Sequence, residues 1–142
     1  MLYAINNVLI YYPGGKVIRK SVTMTMKLRI DGYSFGRMTV GGKEFTSDLI
    51  IHRDGRIQDR WWRAQGHNLL PDDITSVLDA GPEKLVIGTG AMGMMSVSES
   101  VLDLCEKRVI EVEVYRTAEA VKRFNKAVVA GTTVAACFHL TC

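Results

Sequence analysis

The residues of this chain whose types and spacing suit chemistry fall into a few short runs. Gly88-Thr89-Gly90-Ala91-Met92-Gly93 fits the G-x-G-x-x-G pattern and follows the apolar stretch Leu85-Val86-Ile87. Glycine has no Cβ, so such a loop can curl freely and turn bare N–H groups toward an anion, or lie tight against a packed neighbour. Glu111 and Glu113 stand roughly 20 residues on, where a dinucleotide fold places its ribose-binding acid. That fold starts its helix inside the glycine motif, so that the helix N-terminus faces the pyrophosphate. Here Met94 to Val97 intervene before any helical pattern. The glycines therefore read first as strand-to-helix packing, with Gly88, Thr89, Gly90 and Gly93 retained as an anion or metabolite loop, and no nicotinamide, flavin or other cofactor is expected.

His67, preceded by Gly66, is a proton-transfer candidate if the fold brings it to Asp48 or Asp59; the plainer reading is a surface or capping histidine. Trp61 and Trp62 are adjacent, so in an extended segment they face opposite sides, one toward a core and one toward solvent. An exposed tryptophan between Arg60 and Arg63 suits a protein interface, and two buried rings are the competing reading. Cys137, His139 and Cys142 offer soft ligands, with Cys137 and His139 on one strand face. A structural zinc site needs four ligands and no distant CxxC supplies the rest, so no metal is expected. No Ser-His-Asp signature, Walker loop or kinase motif is present.

These residues must be positioned by a single domain, since 142 residues support one sizeable core and not two. Apolar residues at 47% and charged residues at 23% are those of an ordinary globular chain. The first 26 residues hold Lys16, Arg19 and Lys20 and no acid, so the excess of 18 basic over 15 acidic residues lies there and the remainder is neutral. A neutral body without a reading motif argues against nucleic acid as partner. No apolar run reaches the roughly 20 residues of a membrane span. Three cysteines cannot all pair within one chain, and Asn6 and Asn7 interrupt the only leader-like stretch, which together point to reduced thiols in the cytoplasm.

Along the chain, Val8 to Tyr12 and Lys16 to Arg19 flank Pro13-Gly14-Gly15 as a plausible hairpin. A second reading makes residues 1–26 an extension upstream of a natural start at Met24 or Met26, leaving 27–142 as the domain. From Lys27 to Arg63 the turn dipeptides Asp31-Gly32, Gly41-Gly42 and Asp54-Gly55 mark antiparallel strands, the last pairing Asp48–His52 with Arg56–Asp59. From Pro71 the period lengthens to about 3.6 residues. Ile74, Val77 and Leu78 make a short helix closed by Gly81-Pro82, and strand Lys84–Gly88 follows. Next come a helix near Ser98–Lys107 with a Ser96/Glu99 capping box, a strand at Val109–Val114, a helix opened by Thr117 and a strand Thr133–Thr141. Strand Val109–Val114 would bury Ile110, Val112 and Val114 while Glu111 and Glu113 face away with Val109, which marks either a position near an edge or one under a polar cover. The fold class is α/β: three layers around a mixed sheet, antiparallel hairpins first and strand–helix alternation after.

Phe35-Gly36-Arg37-Met38-Thr39-Val40-Gly41-Gly42, Ser47-Asp48-Leu49-Ile50-Ile51, Trp61-Trp62-Arg63-Ala64-Gln65-Gly66-His67, the Leu85–Gly93 run and the ending Val134–Cys142 together resemble the Mth-type domain family over about Lys27 to Cys142. That family includes proteins of unassigned function, an adipogenesis-associated protein and an assembly factor of mitochondrial respiratory complex I. The resemblance implies one three-layer domain with about five sheet strands and no known activity. By analogy it supports a protein partner, which the residues themselves would place at Trp61, Trp62 and Arg63, with self-association open. This chain departs from the pattern at His52-Arg53, where an aromatic and a proline are usual, at Glu113, usually apolar, and at Thr132-Thr133, where arginine is common.

Overall fold

The computed structural model describes residues 28–142 in full, together with Gly14 and the backbone of two strands, β1 (Tyr3–Tyr12) and β2 (Lys16–Thr25). These two pair antiparallel from Tyr3 opposite Thr25 to Tyr12 opposite Lys16; Pro13, Gly15 and Met26 lie outside the described residues. An antiparallel meander follows: β3 (Ile30–Ser34), β4 (Arg37–Val40) and β5 (Lys43–Phe45). Gly41 and Gly42, at φ +56° and +81°, make the two-residue turn between β4 and β5, whose left-handed backbone matches the strand twist. Asp31-Gly32 is not the turn its composition predicts. It lies inside β3 at a register irregularity between Ile30 and Gly32, and the Asp31 carboxylate accepts the Gly42 N–H at 2.8 Å. The reversal itself falls at Phe35-Gly36.

The rest of the chain runs β6 (Leu49–Ile51), β7 (Ile57–Gln58), β8 (Asn68–Leu69), a 3-10 turn (Pro71–Ile74) leading into α1 (Thr75–Asp79), β9 (Lys84–Thr89), β10 (Ser96–Val97), α2 (Glu99–Lys107), β11 (Glu111–Tyr115), α3 (Thr117–Val129) and β12 (Val134–His139). The central sheet has the order β11-β9-β12-β6-β7, with the first three strands parallel and the last two antiparallel to their neighbours. Helices α2 and α3 supply the long crossovers that parallel pairing requires. Strand β12 is buried along its whole length and β9 from Leu85 on, and each feeds both faces. Leu85, Ile87, Ala135, Cys137 and Ile50 meet Trp61, Val77, Leu78, Val101 and Cys105 on one side. Val86, Ala136, Phe138, Leu49 and Ile51 meet Phe124, Ala127 and the meander on the other. The result is the three-layer α/β arrangement expected, with a five-stranded mixed sheet.

Three local expectations change. Ser96 is not a helix cap but part of β10, paired beside Asn68, and Ser98 precedes α2. The strand expected from Val109 begins at Glu111, because Val109 takes a left-handed φ of +57° and its N–H bonds back to Glu106 at 3.1 Å. Strand β11 is an edge strand, and Val114 is 40% exposed rather than buried. Lys84, with its side chain largely buried, reaches across to Glu113 at 3.5 Å and Glu111 at 3.8 Å, which covers the polar side of that edge. Among the described residues, no helix is long and apolar enough to cross a membrane.

Candidate functional site

Register brings two distant residues together. Leu49 pairs with Phe138 across β6 and β12, so Asp48, one step before β6, lies beside His139 at the end of β12. Its Oδ1 accepts the Leu140 N–H at 2.8 Å, and its Oδ2 lies 2.8 Å from His139 Nδ1. An ionised carboxylate only accepts, so Nδ1 is assigned the proton and donates. The Asp48 carbonyl also accepts the Trp61 N–H at 2.9 Å, which fixes the extended segment that follows. Side chains alternate along it. Trp61 and Arg63 turn inward and Trp62 turns out, 78% exposed.

Arg63 lies with its Cζ 4.5 Å from the centre of the Trp61 ring. It donates from Nε to the Gly66 carbonyl at 2.9 Å and from Nη2 to Asp48 Oδ2 at 2.8 Å, and Nη2 lies 3.3 Å from His139 Nδ1. The Arg63 and His139 side chains are only 5% and 7% exposed. Among the described residues, two of their nitrogens, Arg63 Nη1 and His139 Nε2, are buried without a hydrogen-bond partner. Burial pushes the Asp48 carboxyl upward, but hydrogen bonds from His139, Leu140 N and Arg63, with the His139 charge, outweigh it and hold it below the ordinary carboxylate range. Burial also raises Tyr33, helped by the Asp48 charge, and the Tyr33 hydroxyl donates to the Leu140 carbonyl at 2.8 Å. Cys137, wholly enclosed, is pushed up to about 12 mainly by burial, which makes it a poor thiolate source.

The glycine run underlies this cluster. A Cβ on Gly88 would stand 2.7 Å from Phe138 Cδ1 and 2.9 Å from Thr117 Oγ1. On Gly90, at φ +106°, it would stand 2.8 Å from His139 Cδ2 and 2.7 Å from the Cys142 carbonyl oxygen. The loop amides donate within the chain: Gly90 N to Thr117 Oγ1 at 2.8 Å, Ala91 N to Thr141 O at 2.6 Å, and Met92 and Met94 N to Cys142 O at 3.3 and 2.9 Å. Gly93 N bonds Gly90 O, and Met95 N bonds Thr89 O. Thr89 Oγ1 donates to the Tyr115 carbonyl at 3.1 Å. An anion at this loop would have to displace these bonds.

A second feature lies beside Trp62. A groove of about 590 Å³ is lined by Trp61, Trp62, Gln58 and the carboxylates Asp72, Asp73 and Asp79, and, among the described residues, by no lysine or arginine. Asp73 is occupied by the N–H groups of Leu70 and Ala64, at 2.9 and 3.2 Å, and Asp79 pairs with Arg108 at 2.8 Å.

Of the residues singled out by sequence, Asp48 and Arg63 converge, and His67 does not join them. His67 is exposed and only sets its ring edgewise against His139, with centroids 5.5 Å apart, while Asp59 binds the neighbouring Arg60 N–H at 2.8 Å. Among the interface residues, Trp62 alone reaches the surface; Arg63 is drawn in by Asp48, and Trp61 by the Asp73 carbonyl, which accepts its indole N–H at 3.0 Å. Cys137 is buried and Cys142 exposed, and no group of three or more metal-ligating side chains forms among the described residues. His139 as the partner of Asp48 was missed. Strand periodicity put it on the Cys137 face, but only the adjacency of β12 and β6 reveals what it meets.

A small three-layer α/β domain, with its carboxylate–histidine–arginine cluster at the end of the β6–β12 pair, is thus the class of molecule defined. Residues 30–139 match the family described as a protein of unknown function (DUF498/DUF598), and the chain belongs to that family, the Mth-type domain family. It is similar to the solved structure of MT938, at 28% identity over 81% of this chain and 99% of that one, with a TM-score of 0.69. The conserved hypothetical protein PH1505 from Pyrococcus horikoshii OT3 is 29% identical over 80% of this chain and 99% of its own, also with a TM-score of 0.69. A Bordetella pertussis protein described as a Mth938-like domain shares the fold at 18% identity, covering 79% of this chain and 85% of its own, with a TM-score of 0.58.

Proposed function

We propose that this protein is a non-enzymatic interaction module of the assembly-factor kind, working in the cytoplasm and engaging a partner protein through Trp62 and the acidic groove beside it. The carrying observation is the indole of Trp62, 78% exposed on a segment whose neighbours Trp61 and Arg63 are anchored in the core. A rigidly mounted aromatic ring loses little entropy on binding, and tryptophan is prominent among residues that dominate interfaces. Among the described residues the groove is lined by three carboxylates and no lysine or arginine, and although Asp79 pairs with Arg108 and Asp73 accepts backbone N–H groups, Asp72 suits a lysine or arginine of the partner, which can also lie over the Trp62 face. The loop-centred reading, an anion site at Gly88, Thr89, Gly90 and Gly93, is less favoured because the loop's N–H groups already have acceptors within the chain.

The test is cross-linking and affinity recovery from native cells with wild type and Trp62→Ala, followed by binding of each recovered protein to the purified pair. The variant is expected to lose one partner specifically, with affinity reduced at least tenfold and salt-sensitive in the wild type. Equal binding by both proteins refutes the interface.

A further inference from the structure

We propose that Met92, Met94 and Cys142 form a soft-metal site that takes one Cu(I) ion through two thioethers and a thiolate. The glycine loop creates the arrangement. Its amides at Met92 and Met94 both donate to the carbonyl oxygen of Cys142, at 3.3 and 2.9 Å, so each methionine Cα lies within about 7 Å of the Cys142 Cα. One metal ion between side chains of this length spans that separation. The amide of Ala91 on the Thr141 carbonyl and that of Met95 on the Thr89 carbonyl pin the loop on either side. Gly90 permits the close approach, because a Cβ there would run into the Cys142 backbone.

Exposure separates these three residues from the other described methionines and cysteines. Met92 and Met94 are each more than half exposed and Cys142 is exposed, whereas Met38, Met95, Cys105 and Cys137 are buried. Cys137 is also held protonated by its burial, so Cys142 is the thiol open to exchange. Binding replaces the Cys142 S–H bond by an S–Cu bond and releases the proton to solvent, with copper remaining Cu(I) throughout.

Ligand type and charge select the metal. Thioethers and thiolates are soft donors and favour Cu(I), whereas magnesium, calcium and manganese favour oxygen. Zinc wants four ligands drawn from cysteine, histidine and carboxylate, and among the described residues no three such side chains gather. The thiolate cancels the single charge of Cu(I) and the thioethers add none. Arg116, whose side chain would touch a Cβ placed on Gly93, brings a positive charge that further disfavours a divalent ion.

The test is an anaerobic titration of the reduced full chain with Cu(I) against the chromophoric chelator bicinchoninate, with the mass of the complex and ¹³C-methyl spectra of the methionines followed in parallel. One Cu(I) per chain is expected, with the methyl resonances of Met92 and Met94 shifted, those of Met38 and Met95 unmoved, and the complex intact in excess Zn(II). Met92→Leu/Met94→Leu, which keeps the apolar volume, should bind at least about tenfold more weakly, and Cys142→Ser should no longer compete with the chelator. Equal binding by the double methionine variant, which would mark capture by the thiol alone, overturns the site. So does the absence of binding, one ion shared between two chains, displacement by Zn(II), or unmoved Met92 and Met94 methyls. Should a variant not fold by circular dichroism, the wild-type stoichiometry and methyl shifts decide.

Discussion

Asp48 joins three segments distant in sequence, the start of β6, the extended Trp61–Arg63 segment and the end of β12. Removing one partner of a buried ion pair leaves the other charge uncompensated, which typically costs about 3–5 kcal/mol. Asp48→Asn is therefore expected to lose about that much stability at pH 7, read by urea denaturation. The sign with pH follows from the depressed carboxyl of Asp48: its contribution is present above the ordinary carboxylate range and is lost as pH falls through the folded-state value. The gap between wild type and variant should thus narrow on acidification below about pH 4; a constant gap would refute this account. Trp62 behaves oppositely. Its ring is 78% exposed, so Trp62→Ala should change stability by less than about 0.5 kcal/mol while abolishing partner binding.

Between residue and fold, the end of α2 shows an element closed against propensity. Val109 holds a left-handed backbone at φ +57° and is 86% exposed, a conformation that costs a β-branched residue about 1–2 kcal/mol. It is tolerated because Ile110, next along, is buried and its N–H bonds the Cys105 carbonyl at 2.8 Å, which ends the helix and aims the chain into β11. Val109→Gly should raise the unfolding free energy by about 1 kcal/mol, an effect that thermal unfolding would detect. A loss of stability would show that the Val109 side chain contributes contacts that outweigh the backbone term.

At the scale of the whole molecule, the sheet carries a core on each face, and the glycine run, α3 and the end of β12 meet at one rim. Thr117 sits at that junction, its hydroxyl donating to the His139 carbonyl at 2.6 Å while accepting the Gly90 N–H at 2.8 Å. Any side chain at Gly90 would meet both His139 and the Cys142 backbone in a left-handed conformation. Gly90→Ala is accordingly expected to destabilise by about 2–3 kcal/mol and to perturb the imidazole resonances of His139, measured together by denaturation and NMR. Normal stability with an unmoved His139 would separate the loop from the cluster.

Much of this was legible in the chain itself. Period-2 and period-3.6 patterning, the Gly41-Gly42 and Asp54-Gly55 turns and the crossover spacing gave the three layers and the mixed sheet, because burial of an apolar face is a local property of sequence. The polar pair Glu111 and Glu113 likewise pointed to an edge or a polar cover for β11, and the strand has both, an edge position and the Lys84 side chain across it. What periodicity cannot contain is which strands become neighbours. The meeting of Asp48 with His139 across 91 residues, the turning of Arg63 into the interior and the occupation of the glycine-loop amides by the chain's own carbonyls all followed from sheet order and register. Hydrogen-bond partners between segments distant in sequence are chosen only when the layers close, so the side-chain cluster belongs to the tertiary structure, and the sequence determined the scaffold on which it could form.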